Sequence, residues 1–279
     1  MAAHRFVRLL ASVASEAEAR LAAAGSADII DAKNPASGAL GALPVDVVSR
    51  IRKAVPAHIL VSATVGDLPA EPEPVVAAAR AMATSGCDIV KVGLFPGGDP
   101  HATIRHLGRH IAQRTPLVAV LMADAPLDLA LVPLLGEAGF RGVMLDTASK
   151  DGRTLLDHRT PDALRAFVAA AHEAGLFAGL AGSLRLAHIP ELLALAPDVL
   201  GFRGALCRAS DRRSTLDTAA LAAVRDAIPQ ASRQAPAPSP PLWGRPGGGE
   251  SQTPAFRAPS THDHSPQGEG EWPTLETTP

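Results

Sequence analysis

The sequence predicts an α/β protein built as a (β/α)8 TIM barrel with a disordered Pro/Gly-rich C-terminal tail. Strand-like and helix-like segments alternate about eight times within about 230 residues, which is the spacing of this fold. The strands are almost continuously apolar, as in ILVSATVG at 59–66, and such strands are typical of a parallel sheet covered on both faces. A doubly wound open sheet is the alternative. It normally carries a glycine-rich dinucleotide turn after its first strand, and no such turn follows Ser12.

The first unit is a strand followed by a helix that stops at Gly25, and the same unit then returns along the chain. The predicted strands are Phe6–Ser12, Asp28–Lys33, Ile59–Gly66, Asp88–Leu94, Leu117–Ala123, Gly142–Thr147, Leu176–Gly182 and Val199–Arg203. The predicted helices are Ser15–Ala24, Val45–Val55, Pro74–Thr84, Pro100–Gln113, Leu127–Glu137, Pro161–Glu173, Leu186–Ala196 and Leu216–Ala227.

The character of the sequence changes after Ile228. The last part is rich in Pro, Gly, Ser and Thr, with the runs PAPSPP, GRPGGGE and PQGEGE, and it has no apolar periodicity that would bury a face. We therefore expect one barrel domain over residues 1–230 and a disordered low-complexity tail over residues 231–279.

Composition limits the partners and the compartment. Hydrophobic residues make up 47% of the sequence and the net charge is -2, so there is no basic surplus for nucleic acid or an acidic membrane surface. Two cysteines, Cys87 and Cys207, are too few for a disulfide framework and favour a reducing cytoplasm. No apolar run approaches the roughly 20 residues that cross a bilayer. We expect a cytoplasmic protein that binds neither nucleic acid nor membrane. The sequence leaves open whether the chain forms a homo-oligomer.

Charged residues recur at the ends of alternate predicted strands. Strand side chains alternate between the barrel interior and the helix layer, so their direction can be counted from the start of each strand. The count gives the same direction for Lys33, Lys91, Asp146 and Arg203. These residues belong to the second, fourth, sixth and eighth strands, which contribute to the same layers of a barrel interior. The sequence therefore predicts a ring of charge at the carboxyl-end mouth.

Other polar residues belong to the same mouth. Asp31 shares the direction of Lys33 and is expected to be its ion partner, and Lys150 follows Asp146 on the polar loop SKDGR. Asp67 and Asp124 end their strands where catalytic groups usually lie in this fold.

Lysine at the end of a buried strand requires a reason, because removing an ammonium from water costs several kcal/mol. A single lysine there is more often a solvated rim residue. Two inward lysines accompanied by carboxylates favour catalysis, and a lysine with a lowered pKa is the usual amine for a Schiff base with a carbonyl compound.

A phosphate site is predicted in the loops after the seventh and eighth strands, where barrels of this kind often bind phosphate through backbone N–H groups. Gly182 and Gly204 allow close approach of an anion, and Ser183 and Arg203 add side-chain donors. The alternative is that the glycines only form helix-entry turns. A small phosphorylated carbonyl compound would satisfy both the lysines and these loops.

At these residues the chain resembles the (5-formylfuran-3-yl)methyl phosphate synthase family of methanofuran biosynthesis. The matching segments are ADIIDAKNPASGALGA, LVSATVGD, DIVKVGL, MLDTASKDGRTL, LAGSLRLAHIPEL and GFRGALC, which run in order from about Asp28 to Arg213. The resemblance implies condensation of two glyceraldehyde 3-phosphate molecules, with loss of one phosphate and two waters. It also implies a Schiff base on Lys33, proton transfer by Lys91, and assistance from Asp146 and Lys150.

The match has departures and leaves other functions open. Arg153 and Arg208 stand where the family pattern leads us to expect lysine, and the fifth strand, VAVLMADA, is less rich in glycine than the family's. The alternatives are a class I aldolase for another phosphosugar and a non-catalytic barrel that binds a phosphometabolite. Neither a metal nor an organic cofactor is expected, because Schiff-base chemistry requires none.

Overall fold

The computed structural model describes residues 6–229, in which eight parallel strands form a closed sheet. The barrel strands are β1 (Arg8–Val13), β2 (Ile29–Ala32), β3 (Leu60–Thr64), β4 (Ile89–Gly98), β5 (Leu117–Met122), β6 (Gly142–Asp146), β7 (Phe177–Leu180) and β8 (Val199–Phe202). Each strand pairs with the next in sequence, and β8 pairs with β1. The predicted (β/α)8 barrel is therefore confirmed. The predicted disordered tail, residues 231–279, lies outside the described residues.

Helices follow the strands and cover the outside of the barrel. They are α1 (Glu16–Ala24), α2 (Val45–Ala54), α3 (Pro72–Ala83), α4 (Pro100–Leu107), α5 (Leu131–Glu137), α6 (Leu155–His158), α7 (Pro161–Glu173), α8 (Ile189–Leu193) and α9 (Thr218–Ala227). Several starts are fixed by side-chain caps, such as Ser15, which accepts a hydrogen bond from the Glu18 backbone N–H. No helix within 6–229 is long and apolar enough to span a bilayer.

Some boundaries differ from the predictions for local reasons. Helix α5 starts at Leu131 rather than at Leu127, because the Asp128 side chain accepts the Ala130 N–H and holds a turn there. The single helix predicted over 186–196 is a 3-10 turn followed by the short α8. Helix α6 and the two-residue strand Pro69–Ala70, which pairs with the end of β4, were not predicted from the sequence.

The interior of the barrel has an apolar floor beneath its polar mouth. The floor is formed by Leu10, Ile29, Ile89, Val118, Met144, Phe177 and Val199. Two glycines make room for its larger members. A Cβ atom on Gly142 would lie 2.0 Å from the Phe177 ring, and one on Gly179 would lie 2.4 Å from Met144 Cγ. The close packing seals the lower half, so the polar side chains above it face the mouth.

Candidate active site

A cavity of about 740 Å³ opens at the carboxyl end of the barrel, and the predicted charged residues meet in it. Asp31, Lys33, Lys91, Asp146 and Lys150 all line this cavity. The whole 279-residue sequence contains only four lysines, against 22 arginines, so three of its four lysines line one cavity. The direction counted from the sequence for the strand residues agrees with this arrangement.

Lys91 and Asp31 form a buried ion pair. Lys91 Nζ donates to Asp31 Oδ1 at 3.0 Å, and the two side chains are 4% and 0% exposed. Ser62 Oγ donates to Asp31 Oδ1 at 2.7 Å and Ser12 Oγ donates to Oδ2 at 3.1 Å. Burial by itself would raise the pKa of Asp31, but the ammonium groups of Lys91 and Lys33 and these hydrogen bonds lower it. The carboxylate is thus held ionised and holds Lys91 in place.

Lys33 and Lys150 share the second carboxylate, Asp146. Lys150 Nζ donates to Asp146 Oδ1 at 2.9 Å and to Thr147 Oγ1 at 3.1 Å. Lys33 Nζ lies 3.7 Å from Asp146 Oδ2 and forms no hydrogen bond with any residue in 6–229. Burial opposes ionisation of Asp146, but the surrounding ammonium groups, first Lys150 and then Lys33, hold its pKa well below its usual range.

The electrostatics single out Lys33 among the cavity residues. Burial lowers its pKa from 10.5 to about 8. Asp146 and Asp31 oppose this change, while the nearby ammonium groups of Lys91 and Lys150 add to it. An amine that lies near a carboxylate without a hydrogen bond to it, and that loses its proton readily, is suited to attack a carbonyl carbon.

The structure corrects the expected pairing of Asp31. The sequence predicts that Asp31 pairs with Lys33, but the ion-pair partner of Asp31 is Lys91. The pairing differs because of the layer of the barrel interior that Asp31 occupies. Asp31 lies opposite Ser62 in the parallel register, one layer below Lys33, and the long Lys91 side chain reaches it from β4. Lys33 points from the end of β2 to Asp146 across the mouth.

The structure also corrects the expected role of Arg203. The side chain lines the cavity, but all five of its N–H bonds already have acceptors. Two go to the Glu18 carboxylate, at 2.6 and 3.1 Å, and three go to backbone carbonyls of Ser12, Arg212 and Ser214. Arg203 therefore has no donor left for a phosphate, and the Glu18 partner was missed because no local pattern connects α1 with β8.

Asp67 and Asp124 support loops instead of lining the cavity, contrary to the sequence-based expectation. Asp67 accepts the backbone N–H groups of Ala39 and Leu40, at 2.8 and 2.7 Å. Asp124 accepts those of Ala148 and Ser149, at 2.8 and 2.6 Å. Partial burial opposes ionisation of Asp124, but these two hydrogen bonds leave its pKa lowered. The two carboxylates fix the loops that follow Lys33 and Asp146.

The loops after β7 and β8 retain unpaired backbone donors. Gly182, Ser183 and Gly204 line the cavity, and their backbone N–H groups have no hydrogen-bond acceptor within residues 6–229. Ser183 has a φ of 50° and Gly182 a φ of 108°, so the chain turns through the left-handed region at the cavity wall. Successive N–H groups in such a turn suit an anion.

The fold and the site together define a (β/α)8-barrel protein with two buried lysine–carboxylate groups at its mouth. A family model described as 4-HFC-P synthase matches residues 9–225, and the chain belongs to this family. A (5-formylfuran-3-yl)methyl phosphate synthase of Methanocaldococcus jannaschii is 41% identical over 217 residues, which cover 74% of this chain and 92% of that protein. One of Methanothermobacter thermautotrophicus is 38% identical over 216 residues, which cover 74% and 92%.

Solved structures with the same architecture are more distant in sequence. Phosphoribosyl anthranilate isomerase from Thermus thermophilus superposes with a TM-score of 0.58 at 18% identity, covering 80% of this chain and 98% of that chain. A 3-hexulose-6-phosphate synthase superposes with a TM-score of 0.55 at 22% identity, covering 80% and 100%. These likenesses establish the barrel fold.

Proposed function

We propose that this chain is a lyase that condenses two molecules of glyceraldehyde 3-phosphate to (5-formylfuran-3-yl)methyl phosphate, for the biosynthesis of a methanofuran-type carrier. One phosphate and two waters leave, which balances the two trioses against the product. The relatives' names supply the product. The observation that carries the proposal is the Lys33 amine, which is buried at the cavity with a pKa of about 8.

Lys33 is the proposed nucleophile. Its neutral amine adds to the carbonyl of one triose phosphate, or of its ketose isomer, and loss of water gives an iminium ion. The iminium then acts as an electron sink, because its positive charge stabilises the electrons left when the neighbouring carbon loses a proton. Asp146, at 3.7 Å from Lys33 Nζ, lies close enough to stabilise this positive charge.

Lys91 is the proposed proton-transfer group. Its ion pair with Asp31 fixes the amine in the layer beneath Lys33, on the same side of the sheet and in the same cavity. A group so placed can move a proton to or from carbons attached to Lys33. Ser12 and Ser62 each donate a hydrogen bond to a different carboxylate oxygen of Asp31, which restricts rotation of the Asp31 side chain and so keeps Lys91 in position.

Lys150 and Asp146 complete the proposed site above Lys33. The enamine eliminates phosphate or attacks the second aldehyde, and addition of water to the iminium carbon then breaks its bond to Lys33 and returns the free amine. Ring closure and dehydration, with loss of two waters, give the aromatic furan. These steps develop negative charge on oxygen, which the Lys150 ammonium can stabilise, while the ionised Asp146 can accept a proton from the substrate during dehydration. The unpaired N–H groups of Gly182, Ser183 and Gly204 are the proposed seat for a substrate phosphate.

The test is to trap the imine. The protein is incubated with glyceraldehyde 3-phosphate and borohydride, and the adduct is mapped by mass spectrometry, for which only four lysines need to be distinguished. We expect the adduct on Lys33 and its loss in Lys33→Ala. The matched control is Lys53→Ala, which removes the exposed lysine of α2 and should change nothing.

Product formation separates this proposal from its alternatives. Furan formation gives a new ultraviolet absorbance and free phosphate from glyceraldehyde 3-phosphate alone. An adduct without absorbance or phosphate release would indicate a class I aldolase. Absence of the adduct, with function retained in Lys33→Ala, would indicate a non-catalytic binding protein and refute the proposal.

A further inference from the structure

The cations that line the cavity differ in whether they are already engaged. Among the described residues they are Lys33, Lys91, Lys150, Arg185, Arg203 and Arg212. The lysines share two carboxylates, and Arg203 has no donor left. Arg185 also has spare donors, since the only hydrogen bond its side chain forms within residues 6–229 goes from Nη2 to the Gly152 carbonyl oxygen at 3.2 Å, but it is exposed and belongs to the same loop as Ser183. Arg212 differs from Arg185 in being half-buried, from Arg203 in having spare donors, and from the lysines in sharing no carboxylate of residues 6–229.

Arg212 is a half-buried guanidinium with most of its donors unused. Its Nη2 donates to the Gly38 carbonyl oxygen at 2.9 Å, which is the only hydrogen bond its side chain forms within residues 6–229. No carboxylate in that range lies within ion-pair distance of it. Burial lowers the pKa of Arg212, and the more distant Asp146 and Asp67 carboxylates raise it only in part. A partly desolvated cation with four spare N–H bonds is suited to receive an anion.

The surrounding residues hold the Arg212 loop in place. Arg203 Nε donates to the Arg212 carbonyl at 2.8 Å and its Nη2 donates to the Ser214 carbonyl at 2.9 Å. Just before Arg212, Ala209 and Ser210 both adopt left-handed backbone conformations, with φ of 51° and 56°. Such conformations are unfavourable for these residues and persist only where the surroundings enforce them. The buried Arg203 thus positions the backbone that carries Arg212.

Arg212 connects two loops on one side of the barrel mouth, because only β1 separates β8 from β2. It lies on the loop after β8, and its partner Gly38 lies on the loop after β2, directly following Lys33. Asp67 holds the same loop through the N–H groups of Ala39 and Leu40. The Arg212 guanidinium is therefore fixed on the β2 side of the mouth, whereas Gly182 and Ser183 lie in the loop after β7.

We infer that Arg212 binds a second phosphoryl group, that of the triose that condenses with the one attached to Lys33. The inference rests on the proposed function, because a reaction of two triose phosphates requires two anion seats in one cavity. The unpaired N–H groups of Gly182 and Gly204 provide one seat. The planar guanidinium of Arg212 provides the other, since it can bind two phosphate oxygens at once while keeping its bond to Gly38.

The test measures how many phosphate esters the free protein binds. The probe is sn-glycerol 3-phosphate, which carries the phosphate but has no carbonyl for Lys33, and binding is followed by isothermal titration calorimetry. We expect two equivalents for the unmodified protein. Arg212→Met should weaken one site by about 10- to 100-fold and leave the other unchanged. Arg213→Met is the matched control, because Arg213 is exposed and does not line the cavity, and it should keep both sites.

The outcomes distinguish this inference from the proposed function. Binding of one equivalent by the unmodified protein, or two unchanged sites in Arg212→Met, would overturn the role of Arg212 even if the Lys33 adduct and the furan form. Two sites of which Arg212→Met loses one would support it even if no furan forms. If Arg212→Met does not fold, Arg212→Lys decides. It keeps the charge without the planar fork, so one site should weaken by about 5-fold or more, and two unchanged sites would refute the inference.

Discussion

The reactivity assigned to Lys33 can be tested by changing the carboxylate beside it. The fall in the pKa of Lys33 from 10.5 to about 8 corresponds to about 3 kcal/mol. At pH 7 it leaves about one Lys33 amine in ten neutral, against about one in 3,000 for an ordinary lysine. Asp146 raises this pKa through its charge at 3.7 Å, so Asp146→Asn should lower it further, by about 1 to 3 pH units.

The assay is competitive acetylation of the four lysines with acetic anhydride across a pH series, read for each lysine by mass spectrometry. In the unmodified protein, Lys33 should become reactive around pH 8, well below the 10.5 of an ordinary lysine. In Asp146→Asn its midpoint should move to about pH 5–7. Asp162→Asn makes the same chemical change on the surface of α7 and should not move it.

Two results would refute this reasoning. One is a Lys33 midpoint near pH 10.5 in the unmodified protein, which would mean that burial does not favour the neutral amine. The other is a rise of the Lys33 midpoint in Asp146→Asn, which would mean that another group sets its charge state.

Three further predictions concern stability, each read from urea denaturation. The pKa of Lys33 is about 8 in the folded chain and 10.5 in the unfolded chain. The Lys33 ammonium therefore lowers the free energy of unfolding below pH 8, and this cost fades as the pH rises to 10.5. Lys33→Met should stabilise the protein at pH 7 by about 1–3 kcal/mol and give no gain at pH 10.5. Destabilisation at pH 7 would contradict this. Glu18→Gln leaves the buried Arg203 without its carboxylate and should cost about 3 kcal/mol, and a change under about 0.5 kcal/mol would mean that the pair is dispensable. Gly142→Ala places a methyl group against the Phe177 ring and should cost about 1–3 kcal/mol, whereas an unchanged midpoint would show a loosely packed floor.

Much of the site follows from local rules of the sheet. Alternation of side chains along a strand and the sharing of layers by alternate strands are sufficient to place Lys33, Lys91 and Asp146 in one mouth. These rules operate over a few residues, so a single sequence displays them. They do not determine how far a long side chain reaches, which is why the partner of Asp31 was predicted incorrectly.

The remaining features depend on contacts between distant parts of the chain. Glu18 and Arg203 are 185 residues apart, and nothing in either neighbourhood indicates that they meet. Arg212 lies on a loop whose path is set by Arg203 and by strained backbone, not by a repeating pattern. The sequence indicated a cationic phosphate donor near the end of β8, but only the packing shows that Arg212, not Arg203, has donors to spare.

The scarcity of lysine affects how readily the protein is chemically modified by the aldehydes of the proposed reaction. Free aldehydes attach to exposed lysine side chains and slowly damage the proteins that handle them. Of the four lysines here, three lie in the cavity and only Lys53 is exposed, since arginine supplies the rest of the basic surface. Under the proposed function, the barrel therefore presents aldehyde substrates with almost no lysine outside the cavity. For the same reason, a lysine-selective reagent would react mainly with the lysines of the cavity.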